Sequence, residues 1–434
     1  MELDRRRAIF GWAMYDWANS AFATTVMAAF FPIFFKKFWS AGVDPVVSTA
    51  KLGLANSIAG IVVAICAPLL GAIADRGGAK KKFLMFFAFI GVVMTAALYM
   101  VAKGDWVMAI VVYVLATVGF SGGNIFYDSL ITSVASNKRM DRVSALGFSL
   151  GYLGGGILFA INIWMTLNPA FFGFADSVTA VRCAFLSVAL WWAIFSIPVF
   201  LFVREPVAKE GRTTMKVIAA GLRQLRRTFL EIRHLKVILL FLIAYWLYID
   251  GVDTIIRMAL DYGMSIGFDS NDLILALLIT QFVGFPSAIG FGYLGGKIGT
   301  KRSIYITIAV YLCVTIYAAF MTRSYEFYLL AIVIGMVQGG IQALSRSYFA
   351  KMIPVDKSAE YFGFYNLIGK FSVVAGPVFM GGTALLVRSM GYASNIASRV
   401  SITSIAILFI AGGMLLYFVD EQAGKREAQY LSKV

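Results

Sequence analysis

Five groups of ionisable and amide side chains interrupt the long apolar stretches of this 434-residue chain. Placing one charged side chain at the centre of a bilayer costs ~2.5–3.5 kcal/mol on insertion scales, so we expect such residues to have a function. Helical spacing puts the members of each group on a single helix face. The groups are Asp16 and Asn19; Asn124, Asp128 and Thr132; Asp250, Asp253, Arg257 and Asp261; Gln338, Gln342 and Arg346; Asn366 and Lys370.

Asp16 and Asp128 form the first candidate site. Asp16 follows Arg7 by nine residues, which is about 13 Å of helix. Asp128 precedes Lys138 by ten residues, so the two carboxyl groups lie at similar depth. They predict a site that couples to protons or binds an ammonium group; the alternative is that neutral carboxyl groups only hydrogen-bond neighbouring helices. Asn19, Asn124 and Tyr127 are assigned to the same site.

Lys370 is the deepest cation in the second half of the chain. It follows Lys357 by thirteen residues, about 20 Å of helix. A lysine at this depth needs a counter-charge, for which Asp250 and a bound substrate are the candidates. A permanent Asp250–Lys370 ion pair is the alternative to a substrate site. Gln338, Gln342 and Asn366 complete the predicted substrate or proton-coupling residues.

Two further sets are predicted to act as gates. Asp253, Arg257 and Asp261 share one stripe and predict a ladder of ion pairs near the outer mouth; the alternative is a solvated face at a helix end. Arg346 lies closer to a cytoplasmic end, where we expect it to brace an inner gate. Its guanidinium fork also suits a substrate carboxylate or phosphate.

The composition indicates a helical membrane protein. The chain is 60% hydrophobic and 14% charged, whereas soluble domains carry about 25% charged residues. Spanning segments of about 20 apolar residues must satisfy their own backbone groups and are therefore helices. Twelve spans are predicted, at 8–35, 51–74, 83–102, 106–135, 143–167, 182–203, 236–261, 272–296, 303–321, 325–350, 360–387 and 397–419.

The positive charges predict the topology. With the N-terminus in the cytoplasm, 27 of the 38 Lys and Arg residues fall on the cytoplasmic side and eight on the other, which predicts two cytoplasmic termini. The net charge of +15 is spread between spans, so nucleic-acid binding is not indicated. The one histidine, His234, lies in a basic loop, and no Walker loop, metal cluster or histidine-based triad indicates an enzyme, a cofactor or a metal site.

An internal repeat divides the chain into two halves. The glycine-rich basic stretch 71–82 returns in degraded form at 292–302, displaced by 221 residues. Two six-helix halves in the same orientation are typical of transporters built from parallel repeats. The predicted division is an N-terminal half at 1–203, a cytoplasmic linker at 204–235 and a C-terminal half with a short tail at 236–434. The linker predicts a basic amphipathic helix, either on anionic lipid headgroups or solvated.

Several motifs carry a resemblance to a known family. The stretch 71–82 resembles the loop motif of the major facilitator superfamily, although Ala79 stands where a basic residue is usual. More specific are the segments 15–20, 126–130, 342–347 and 360–366. They resemble the unknown-major-facilitator family, the bacterial relatives of the autophagy-related vacuolar amino-acid effluxers of fungi. The similarity runs along nearly the whole chain.

The resemblance implies a monomeric secondary active transporter in a bacterial plasma membrane. Asp75 is then expected to face the start of the eleventh span near Ser358, where a helix N-terminus favours negative charge. Arg76 is expected to contact neighbouring cytoplasmic ends, and this network to lock an outward-open state. Carboxylates in the first half and cations in the second favour a small zwitterion such as an amino acid, moved with protons. The alternatives are a multidrug or lipid exporter and, outside transport, a membrane scaffold or receptor.

Overall fold

The computed structural model describes residues 3–43, 45–205, 235–265, 268, 270–371 and 375–433, and within these ranges it contains helices and no β-strand. The first helix, α1, spans Arg6–Trp39 and includes two π-helical stretches, Phe22–Phe30 and Phe35–Trp39. The others are α2 Pro45–Gly77, α3 Lys80–Ala97, α4 Trp106–Val134, α5 Met140–Leu167, α6 Ser177–Phe202, α7 Lys236–Ser265, α8 Ser270–Ile298, α9 Thr300–Ala318, α10 Ser324–Met352, α11 Ser358–Phe371, α12 Ala375–Ser389, α13 Ser394–Thr403, α14 Ala406–Tyr417 and α15 Glu421–Lys433.

The helices confirm a multi-pass helical membrane protein. Among the described residues, eleven helical segments are long and apolar enough to cross a membrane, and each coincides with one predicted span. The remaining predicted span, 360–387, falls on α11 and α12, on either side of residues 372–374, which lie outside the described ranges. The count of twelve and the cytoplasmic termini stay predictions.

The chain divides into two compact units. Unit 1 consists of Met1–Ala135, Leu150–Leu225 and Lys357–Asn366, and unit 2 of Ser136–Ser149, Arg226–Asp356 and Leu367–Val434. Most of each predicted half lies in one unit, but the first turns of α5 belong to unit 2 and those of α11 to unit 1. The predicted linker helix falls within 206–234, outside the described residues, and the division at 203 and 236 stays a prediction.

The same helix pairs pack in each unit. In unit 1, α4 packs on α2 and α3, and α1 packs on α6. In unit 2, α10 packs on α8 and α9, and α7 packs on α14. Small residues allow close approach, as at Gly119 of α4, where an added Cβ would clash with the backbone of Gly91 on α3. The helix pairs of unit 1 thus have counterparts in unit 2, as the internal repeat in the sequence predicts.

Two glycines shape the turns that carry the repeated basic loop. Gly78, between α2 and α3, has φ of 54°, and Gly299, between α8 and α9, has φ of 98°. Glycine adopts positive φ without the steric cost that a Cβ imposes. Each turn is therefore tight enough to set the next helix directly against the end of the preceding one.

Candidate functional site

Asp16 lies in a buried network of unit 1. The Tyr127 hydroxyl donates a hydrogen bond of 2.7 Å to Asp16 Oδ2, and Asp16 is only 8% exposed. Trp12 holds the tyrosine in place: its Nε1 donates to the Tyr127 carbonyl at 2.9 Å, and the two rings stack with centroids 4.6 Å apart. The tyrosine thus ties a carboxyl group on α1 to α4.

Two amide contacts extend this network to α11. Asn19 Nδ2 donates to Asn124 Oδ1 at 2.6 Å, again joining α1 to α4. Asn366 Nδ2 donates to Asp128 Oδ2 at 3.2 Å and to the Phe362 carbonyl at 3.0 Å. Six residues of the predicted site therefore lie in one unit and are joined in pairs. They are Asp16, Asn19, Asn124, Tyr127, Asp128 and Asn366.

The glycines of α5 bring that helix against the network. A Cβ at Gly151 would lie 2.6 Å from Ser20 Oγ, and one at Gly155 would lie 2.7 Å from Thr24 Oγ1. Both contacts are with α1, one and two turns beyond Asp16. Small residues at this spacing allow the close packing of membrane helices, so α5 packs closely on α1 beside the carboxyl group.

Asp75 caps the start of α11 within unit 1. Its carboxylate accepts the backbone N–H of Ala359 at 3.1 Å and of Glu360 at 2.8 Å. Lys80 Nζ lies 2.9 Å from Asp75 Oδ1 and donates to Ser358 Oγ at 2.7 Å. Both charged side chains are at least 95% buried. The contact is the one that the resemblance implied; the gating role of Asp75 stays a prediction, and Arg76 is exposed.

The cap includes further polar groups from α4. Thr132 Oγ1 donates to Ser358 Oγ at 3.2 Å, and Ser358 Oγ donates to the Ser129 carbonyl at 3.3 Å. The backbones of α2 and α11 approach closely here: a Cβ at Gly71 would clash with the Ala359 carbonyl. We call the set Asp75, Lys80, Thr132 and Ser358 the Asp75 cluster.

Glu205, at the start of the linker, is a residue that the sequence did not single out. It accepts the backbone N–H of Lys80 at 2.5 Å and of Lys81 at 3.2 Å, and so caps α3. Burial raises the pKa of this carboxyl group above its ordinary value of 4.5, and the two N–H donors partly oppose that rise. Lys81 Nζ in turn donates to the carbonyls of Phe200 and Val203, at 2.7 Å each.

Unit 2 contains a second buried cluster, built around Asp141 in the first turn of α5. Lys351 Nζ lies 2.8 Å from both carboxylate oxygens, and both side chains are more than 90% buried. Ser347 Oγ donates to Oδ1 at 2.6 Å and Thr300 Oγ1 to Oδ2 at 3.0 Å. We call Asp141, Thr300, Ser347 and Lys351 the Asp141 cluster. None of these residues was predicted.

The side chain of Arg346 is hydrogen-bonded to α5. Its Nε donates to Ser144 Oγ at 2.9 Å and its NH2 group to the Ser144 carbonyl at 2.8 Å. The guanidinium lies over the Phe148 ring, 4.2 Å from the centroid, and the residue is 3% exposed. This contact fits a bracing role better than direct contact with a substrate.

The other predicted residues of unit 2 are dispersed. Asp250 is fully buried and accepts the Gly376 N–H at 3.1 and 3.2 Å, at the start of α12. Gln338 is buried and lines an apolar cavity. Asp253 and Gln342 are half-buried. The side chains of Arg257 and Lys370 lie outside the described residues, so the outer ladder and the Asp250–Lys370 pair stay predictions.

Several large aromatic side chains close in sequence to the predicted site residues are packed in the interior. Trp12, Phe22, Tyr127 and Tyr248 are at most 1% exposed. Tyr248, for example, shares a 2.7 Å hydrogen bond with Ser345 Oγ. Within the part of the chain that the structure describes, no three His, Cys, Asp or Glu side chains are grouped as a metal site requires.

Comparison with known sequences shows the family. Residues 42–429 match the family model described as vacuole effluxer Atg22 like. The chain is 39% identical over 422 residues to the uncharacterised MFS-type transporter YxiO of Bacillus subtilis, which covers 96% of each protein. It is 27% identical over 318 residues to autophagy-related protein 22-1 of Aspergillus niger, covering 68% of this chain and 50% of the fungal protein. The chain thus spans about half the length of that fungal relative.

Solved structures agree on the fold. The human organic anion transporter TETRAN aligns with a TM-score of 0.71 at 14% identity over 95% of this chain and 99% of that one. The proton:xylose symporter XylE aligns with a TM-score of 0.70 at 12% identity, covering 98% and 97%. Both are major facilitator proteins in fold, a class of transporters and not of enzymes. The chain therefore belongs to the Atg22-like family of major facilitator transporters.

Proposed function

We propose that this protein is a proton-coupled secondary transporter that moves a small polar solute, with amino acids as the leading substrate class, by alternating access. The observation that carries the proposal is the pair of buried carboxyl groups in unit 1, Asp16 and Asp128, each hydrogen-bonded to a neutral side chain. A buried carboxylate loses hydration, and binding a proton or a cation relieves that cost. Such groups suit a site that alternates between a proton and an ammonium group.

The hydrogen bonds suggest how the ionised carboxyl groups are stabilised when the proton has left. The Tyr127 hydroxyl donates to Asp16 and the Asn366 amide donates to Asp128. Both donors can turn to other acceptors when the carboxyl group binds a proton, since neither carries a charge of its own. Loss of the proton would strengthen both hydrogen bonds, because a charged acceptor binds a donor more strongly.

The substrate's acidic end needs a cation. Arg346 already donates to Ser144, so Lys370 is the candidate for a substrate carboxylate, with Gln342 on the neighbouring span. The proposal assigns the ammonium group of a zwitterion to Asp16 and Asp128 and its carboxylate to Lys370. The fungal relatives' family description as effluxers supports transport of a solute across a membrane.

The Asp75 and Asp141 clusters are proposed to act as latches of the cycle. Each joins helix ends through a buried ion pair, and such pairs are strong only while both partners stay in place. Breaking one during the cycle would need water to enter, so we expect the clusters to set the rate of conformational change. Asp253 and Arg257 are proposed as outer gate residues.

In the proposed cellular setting, the charge distribution supports the topology, and the family resemblance supports the membrane and the oligomeric state. We infer twelve spans with cytoplasmic termini, a bacterial plasma membrane and a monomer, with the basic linker against anionic lipid. Neither nucleic acid nor a cofactor is part of the proposal.

A ligand screen tests the substrate class. Purified protein in detergent is heated with amino acids, dipeptides, sugars, nucleosides, metals and amphipathic drugs. A ligand at 100 times its dissociation constant stabilises the folded state by roughly 2.7 kcal/mol. We expect one amino-acid class to raise the unfolding temperature, and Asp16→Asn or Lys370→Ala to abolish that shift. A response to amphipathic drugs alone would favour an exporter of drugs or lipids; ligand binding with no flux into vesicles would favour a receptor.

A further inference from the structure

We propose that unit 2 contains a binding site for a small, uncharged, mostly apolar molecule that carries a hydrogen-bonding group. The site is a cavity between α7, α8, α9, α10 and α13, and none of the proposed proton-coupling carboxylates lines it. Its volume is about 80 Å³. One water needs ~10–15 Å³ on this measure, so the cavity has room for about five to eight non-hydrogen atoms.

The walls exclude a charged ligand. Most of the lining is aliphatic or aromatic, and no Asp, Glu, Lys, Arg or His of the described chain is part of it. The Tyr262 hydroxyl donates to the Ala318 carbonyl at 2.6 Å. The hydroxyls of Thr280 and Thr315 donate to carbonyls of their own helices, and that of Thr280 also lies 3.2 Å from the Ala331 carbonyl on α10. An ion entering this space would lose its hydration without gaining a counter-charge.

Two carboxamides give the cavity its polar end. Gln338 is 7% exposed, and within the described chain its side-chain amide makes no hydrogen bond. Gln281, half-buried on α8, also lines the cavity and likewise has no partner there. A buried amide without a partner is costly, and most such groups in proteins are satisfied. Each amide offers one acceptor and two donors, so the matching ligand is an amide or an alcohol.

The apolar walls and the two carboxamides together select the type of ligand. A purely apolar guest would leave Gln338 unsatisfied, and a strongly polar one would not fill the aliphatic walls. The ligand that satisfies both is a short branched or cyclic hydrocarbon with one amide or hydroxyl group. Such a molecule could enter from solution or from the bilayer, and its site shares Gln338 with the residues predicted for substrate or proton coupling.

The test uses isovaleramide as the probe and isovalerate, its charged counterpart of the same shape, as the control. Thermal unfolding of the purified protein is followed against the concentration of each at neutral pH. We expect isovaleramide to raise the unfolding temperature and isovalerate to have no effect. Equal shifts with both compounds, or no shift with isovaleramide, would overturn the proposal.

Three variants locate the site. Gln338→Leu removes the amide at similar volume and is expected to weaken isovaleramide binding about tenfold, the equivalent of one hydrogen bond. Ala331→Leu fills the cavity and is expected to abolish binding. Thr307→Val, a buried polar-to-apolar change on α9 outside the cavity, is expected to leave binding unchanged. Equal affinity in wild type, Gln338→Leu and Ala331→Leu would contradict the site. Because binding is measured without transport, this result is independent of the outcome for the proposed function.

Discussion

The Asp75 and Asp141 clusters occur at the two copies of the repeated basic loop, yet they are built differently. In unit 1 the loop itself supplies both the acid, Asp75, and the lysine, Lys80. In unit 2 the loop supplies only Thr300; the acid comes from α5 and the lysine, Lys351, from α10. The repeat has therefore kept a buried ion pair at each loop while exchanging the elements that provide it.

The difference also changes what each acid binds. Asp75 accepts two backbone N–H groups at a helix start, where the helix dipole favours a negative charge. Asp141 accepts from two hydroxyl groups and a lysine, all side chains. We infer that Asp141 depends on its side-chain partners, whereas Asp75 depends on both Lys80 and the backbone of α11.

Asp141→Asn is expected to give the largest effect. Lys351 would stay buried without a counter-charge, with neutral acceptors such as Thr300 Oγ1 in its place, and breaking such a pair costs about 3–5 kcal/mol. Thermal or denaturant unfolding measures the loss. The double variant Asp141→Asn with Lys351→Met removes the unpaired charge and should recover part of the stability. A double variant less stable than Asp141→Asn would show that the ion pair is not the cause.

Asp75→Asn also breaks a buried ion pair and should cost about 3 kcal/mol, the lower end of the range for such pairs. The amide oxygen can still accept one N–H of α11, and Lys80 retains Ser358. If the cluster is a latch, transport rate should change more than substrate affinity. Initial rates and half-saturation concentrations in vesicles separate the two; unchanged kinetics would remove Asp75 from the gating mechanism.

Gly71→Ala tests the close approach beside Asp75. Its Cβ would clash with the Ala359 carbonyl, and crowding of this kind typically costs about 1–3 kcal/mol. The control is Gly60→Ala on the same helix, where a Cβ would meet nothing within 4 Å. We expect a lower unfolding temperature for the first variant only. Equal behaviour of the two would mean that α2 and α11 do not need this contact.

The smallest effect is a pH dependence at Glu205. Burial raises the pKa of this carboxyl group, so the folded state binds its proton more tightly than the unfolded state does. Its contribution to stability is therefore greatest below pH 4.5 and is lost as pH rises through the folded-state pKa. Glu205→Gln keeps an acceptor for α3 but cannot titrate, so its unfolding temperature should change less over that range. Identical pH profiles of the unfolding temperature in wild type and Glu205→Gln would exclude Glu205 as the source of the pH dependence.

The sequence predicted the positions of the helices better than the contacts between their side chains. Eleven of the predicted spans coincide with membrane-length helices, because apolar length alone identifies them. The contact of Asp75 with α11 followed from the family resemblance. Asp141 and Lys351 were missed because each sits at a span end, where a charge looks like a topology signal. Their separation of 210 residues along the chain leaves no local pattern to connect them.

Asp250 shows the same limit within the membrane. Its position in a span correctly marked it as buried, but the structure adds two hydrogen-bond donors that the sequence did not identify, the backbone N–H of Gly376 and the hydroxyl of Thr254. The Gly-Pro step at 376–377 could have indicated the start of a helix, since proline favours the first turn. It could not have indicated that Asp250, 126 residues earlier, accepts a hydrogen bond from that turn.

The most direct test of the central claim measures accumulation and exchange separately. Protein in vesicles is given a labelled substrate from the screen, first with an imposed pH gradient and then with unlabelled substrate on the other side and no gradient. We predict that at least one of the two variants Asp16→Asn and Asp128→Asn loses gradient-driven accumulation but still exchanges labelled for unlabelled substrate. Asp176→Asn, an exposed helix cap that asparagine can replace, should behave as wild type. Gradient-driven accumulation undiminished in both buried variants would contradict proton coupling through these carboxyl groups.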